Sequence, residues 1–98
     1  MENQDIKVTT TVTPNRKFYT VSSPSATVTV LTMEYAAIVS ALIRARYTDD
    51  EMMAIINNRM QSPDDEQILA EWQEMQQWRN QSKETARAAM EQYEAGEV

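Results

Sequence analysis

The sequence predicts an α+β protein: a threonine-rich β ribbon or small antiparallel sheet over residues 5–31, then three helices over residues 32–98, the last one long. Three observations carry that prediction. Apolar residues alternate with polar ones in the first third of the chain, and afterwards recur every three or four residues. Eight of the ten threonines lie in the first 32 residues, where a β-branched side chain suits a pleated strand better than a helix. Charge changes with composition, from +1 in that region to −7 in the remainder.

Ile6, Val8, Thr10 and Val12 fall on one side of the first alternating run; Lys7, Thr9, Thr11 and Thr13 fall on the other. Pro14-Asn15 interrupts it with turn chemistry, because proline presets φ and asparagine tolerates unusual backbone angles. Residues 17–21 form a second short run, and Ser22-Ser23-Pro24-Ser25 breaks the chain again. Ala26, Val28 and Val30 then alternate with Thr27, Thr29 and Leu31 in a third. The plainest arrangement is a meander whose Val/Ile face lies on the helices. The alternative is an arm that pairs with another subunit, since three short strands need a covering layer and exposed strand edges pair readily with other chains. Phe18 and Tyr19, the only aromatics of this region, are the candidate contact residues of such an arm.

Thr32 is placed to cap a first helix over residues 33–46, whose apolar face is Tyr35, Ile38, Val39, Leu42, Ile43 and Tyr47. The next helix start is the sharpest local signal in the chain. Thr48 and Glu51 have the spacing of a capping box, with Tyr47 and Met52 at the positions of a hydrophobic staple. Asp49 and Asp50 add negative charge where the helix dipole favours it. This second helix runs over residues 49–60 and is expected to bury Met52 or Met53, Ile55, Ile56 and Met60, next to the first. For the third, Ser62 is the expected N-cap and Pro63 the first helical residue, with no breaker before Gly96. Its first half carries the stripe Ile68, Leu69, Trp72 and Met75 and is expected to be core. The second half is read as a solvated extension in preference to a weak oligomer seam, because the stripe passes through Arg79, Ser82 and Lys83.

Composition excludes several function classes. The chain has neither cysteine nor histidine, which removes disulfides, thiol nucleophiles, imidazole bases and nearly every zinc site. Its single glycine, at 96, leaves no phosphate-cradling loop. A net charge of −6 with scattered basic residues disfavours nucleic acid. No apolar run reaches membrane-span length, and the first residues lack the pattern of a signal peptide. Asp49-Asp50-Glu51 and Asp64-Asp65-Glu66 are explained by helix starts and not by a metal, for a calcium loop needs alternating ligands and a glycine. We therefore expect no catalytic residues, no cofactor, no metal and no small-molecule substrate, in a protein of the cytoplasm or of a virion.

What remains is contact with proteins, including self-association. The seven methionines read first as core filler and second as an adaptable binding groove. Trp78 lies about 120° from Trp72 around a helix, off the main stripe, and is the candidate intersubunit or partner contact.

Residues 43–83 carry Arg44, Arg46, Tyr47, Thr48 and Asp50 at the capping motif, then an acidic spacer, then Trp78, Arg79 and Lys83. This pattern resembles small phage- and prophage-encoded proteins of gut bacteria. The resemblance implies a virion-associated or assembly role through protein–protein contacts, and it transfers no active site. The other reading is a small acidic cytoplasmic adaptor or inhibitor of a host protein, for which charge complementarity suits such a chain.

Overall fold

A computed structural model describes residues 5–96. Three strands, β1 (Lys7–Val12), β2 (Lys17–Ser22) and β3 (Thr27–Val30), form an antiparallel meander in the order β1-β2-β3. Both hairpins close in the same way. Thr13 and Ser23 each stand before a proline, and each accepts through its side-chain oxygen the backbone N–H three residues on, at 3.1 and 3.2 Å. Each also donates its own backbone N–H to the carbonyl of that residue, at 2.8 Å. Register follows from these turns. Val8 pairs with Val21 and Val21 with Val28, an inward row; Thr9 pairs with Thr20 and Thr20 with Thr29, an outward one.

The inward valines meet helices α1 (Tyr35–Arg44) and α3 (Glu66–Glu94) in one core with Tyr19, Met33, Ile38, Leu42, Ala86 and Ala89. The β region is thus a sheet on this chain's own helices. Coverage stops short of the far end of β1, where Val12 lies on the face of Val8 but is exposed.

Two of the three helix starts differ from expectation, each for a local reason. Helix α1 begins two residues late, because Met33 turns into the core, and its N-cap position is Glu34, without a side-chain cap bond. The capping box of α2 (Asp49–Gln61) forms as expected, with Glu51 N–H donating to Thr48 Oγ1 at 3.0 Å and Thr48 N–H to Glu51 Oε1 at 2.7 Å. Ser62 does not cap α3. Its N–H still closes α2 on the Asn58 carbonyl, and Pro63 then occupies the second position of a turn joining the Ser62 carbonyl to Asp65 N–H. Asp65 takes the cap instead, its carboxylate accepting Gln67 N–H and Ile68 N–H at 3.0 and 3.1 Å.

Helix α3 is the spine, about 43 Å long at 1.5 Å per residue. Its second half is core and not a solvated extension: beyond buried Met75 and Trp78, Ser82, Thr85, Ala86, Ala88 and Ala89 are buried too. Small residues there let the helix lie close to the sheet. Ser82 causes no penalty, because its hydroxyl donates to the Trp78 carbonyl at 2.8 Å. The start of α3 packs with α2, which scarcely touches α1. The molecule measures 51 × 33 × 17 Å.

The two regions should respond differently to truncation. Ile38→Ala removes a fully buried side chain and is expected to cost about 2–5 kcal/mol. Thr48→Ala should cost about 1 kcal/mol and Thr48→Ser almost nothing, since serine keeps the cap bond. Urea melts of the three variants check the order; a silent Thr48→Ala means the box is not closed in solution.

Candidate functional site

The surface that stands out is the outer flank of α2. At 100° per residue its apolar side chains, Ile55, Met52, Ile56, Met60 and Met53 in angular order, span about 160° of the helix. Helix α3 covers only one side of that arc. Ile55 and Met52 are half-buried there, whereas Met53, Ile56 and Met60 are 62, 38 and 74% exposed. No residue of α2 is buried. The expectation that α2 buries Ile56 and Met60 thus fails, because the helix has one neighbour where its arc is wide enough for two.

Charge surrounds this flank asymmetrically. Asp49, Asp50 and Glu51 open α2, and Asp64, Asp65 and Glu66 follow its end. Over residues 49–74 there are eight carboxylates and one arginine. That arginine, Arg59, is engaged inside the hairpin, its guanidinium 4.9 Å from the centre of the Trp72 ring. Arg44 reaches Asp49 at 3.6 Å, but both side chains are well exposed, and such a pair adds little. On the other flank of α2 an open groove of about 340 Å³ has Tyr47, Ala54 and Ile55 as apolar lining and Glu51, Glu71 and Glu74 as acidic lining. Among the described residues no group of three or more acidic side chains is placed to hold a metal ion.

The expected contact residues fall elsewhere. Trp78 is 5% exposed and belongs to one chain's interior: its indole N–H donates to the Leu42 carbonyl at 3.0 Å, under the Arg46 guanidinium at 5.3 Å. The flank assigned to it by helix geometry is occupied by the last turn of α1. Trp72, expected in the core, is half-buried beneath Arg59. Tyr19 is also interior, packed edge to face on Tyr93 with ring centres 5.8 Å apart. Hydrogen bonding with Tyr19, then repulsion between the two phenolic groups, raises Tyr93 above the usual tyrosine range. Phe18 alone of the three keeps an outward position, half-buried on the threonine face of the sheet beside Arg16. Thr48 and Glu51 stand at the head of the α2 flank, and Ser62 at its foot.

Fold and site together define an α+β protein whose two-helix hairpin extends past a sheet-backed core, with an apolar stripe open to solvent. No protein-family model, curated protein or solved structure matches the chain.

The exchanged roles of the two tryptophans are measurable. With Trp72 replaced by phenylalanine, emission should stay blue, resist acrylamide and not depend on concentration. Trp78→Phe should leave a redder, more quenchable signal and cost about 1–3 kcal/mol through the unpaired Leu42 carbonyl. Easy quenching of Trp78 in the first variant contradicts the assignment.

Proposed function

We propose that the chain is a non-enzymatic protein-contact protein whose working surface is the open flank of the α2–α3 hairpin. The observation that carries this is the row Met53, Ile56 and Met60, exposed together on a helix that has no buried residue. Contiguous exposed apolar side chains rimmed by polar ones are how soluble proteins present a docking surface. A helical hairpin standing away from the core also offers its flank to a partner without rearrangement of the sheet.

The setting implied by the resemblance is a phage or prophage particle or its assembly, where small proteins act through such contacts. The concentration of carboxylates on the hairpin favours a second setting, an acidic adaptor or inhibitor acting on a cellular protein. Both use the same surface.

A photo-crosslinking residue placed at Met60 should give one discrete adduct in the cells that express the protein. The same residue at Thr29, on the outer face of the sheet, should give none. Equal yields at the two positions, or no adduct at either, contradict the reading.

A further inference from the structure

The open flank of α2 has a composition that selects among occupants. Between its two ends lie Met53, Ile56 and Met60, apolar and, in the methionines, adaptable in shape. At both ends lie carboxylates: Asp49, Asp50 and Glu51 before the stripe, Asp64, Asp65 and Glu66 after it. The two groups are about 20 Å apart along a helix of this length. The single arginine within the segment lies over Trp72, and Arg44, before it, reaches only Asp49 at 3.6 Å, so the other five carboxylates have no ion pair among the described residues.

We propose that this flank takes a cationic amphipathic helix from another protein, with lysine or arginine at both of its ends and an apolar stripe between them. The inference rests on the preceding reading that the flank is a contact surface, and it names the partner's chemistry. Charge decides it. A second copy docked antiparallel would set its Asp64-Asp65-Glu66 against Asp49-Asp50-Glu51 of the first. Docked parallel, it would set each acidic group against its own duplicate. Either way like charges meet at both ends of the contact, which costs affinity and slows encounter. A helix basic at both ends meets opposite charge at both, and its apolar stripe covers the methionines as an amphipathic helix covers a groove. Glu51, Glu71 and Glu74, around the neighbouring groove, add to the same negative field.

The test uses the full chain and a labelled synthetic peptide of about 16 residues, four helical turns, with lysines at both ends and leucines at three- and four-residue spacing. A scrambled peptide of the same composition, without the apolar stripe, is the control. Fluorescence anisotropy should show the amphipathic peptide binding about tenfold or more tighter than the scrambled one. Met53→Ser with Met60→Ser should remove that advantage, while leaving the circular dichroism and melting of this exposed site unchanged. Asp50→Asn with Asp64→Asn, neither a cap, should weaken binding and flatten its salt dependence. Equal binding of the two peptides, or indifference to the methionine pair, overturns the proposal. Sedimentation separates its failure from that of the reading beneath it. A dimer that dissociates on Met53→Ser with Met60→Ser keeps the contact surface and overturns the cationic partner. A monomer at every concentration that also fails to prefer the amphipathic peptide overturns both.

Discussion

The bond from the Trp78 indole to the Leu42 carbonyl is the constraint on which the arrangement depends. It joins residues 36 apart in sequence and fixes where α3 crosses the last turn of α1. A buried carbonyl without that partner would carry a desolvation cost, so the crossing point is specified and not merely tolerated. On the C-terminal side of Trp78, Gln81 bonds to Ser25, Gln92 to the Ile6 carbonyl, and Tyr93 packs on Tyr19, so that side lies on the sheet; on the N-terminal side Trp72 lies under Arg59 of α2. The chain leaving α1 enters α2 through the capping box, at a place where the start of α3 is within reach.

The two halves of α3 consequently live in different energetic conditions. On the sheet side, fully buried Ile38, Leu42 and Val21 each gain about 1.5–3 kcal/mol from leaving water, and alanines bring the helix close enough for that burial. On the hairpin side, α2 has no buried residue and depends on the Thr48–Glu51 box, the partial cover of Met52 and Ile55, and Arg59 over Trp72. Segments with few buried contacts open locally at lower cost than the core. A contact surface built on such a segment gains its remaining burial when a partner arrives, so low local stability and docking are two consequences of the same missing neighbour.

Much of this was legible in the residues. Alternation gave the three strands, and Pro14 and Pro24 their turns. Thr48 with Glu51 gave the start of α2, because a capping box is local chemistry that needs no tertiary information. Ser62 misled for the opposite reason: two capping residues compete within four positions, and the one still bonded to Asn58 cannot open the next helix. The second half of α3 was misread because Ser82, Thr85 and the alanines look polar or featureless, although small residues are what a close helix–sheet contact requires. Trp78 looked unpartnered because angle on one helix says nothing of which neighbour stands there. For the open flank a signal did exist. An apolar arc of about 160° on α2 exceeds what one neighbouring helix covers, and acidic groups bracket it.

Hydrogen exchange of the isolated chain, at a concentration where it is monomeric, tests most directly whether one helix serves two unequal halves. Backbone amides of Trp78, Ser82, Ala86 and Ala89 should exchange only with global unfolding, together with those of Ile38 and Leu42. Amides of Ile55, Ile56 and Met60 should exchange orders of magnitude sooner, by local opening of the hairpin. Protection of α2 equal to that of the sheet-backed half of α3 would contradict the account.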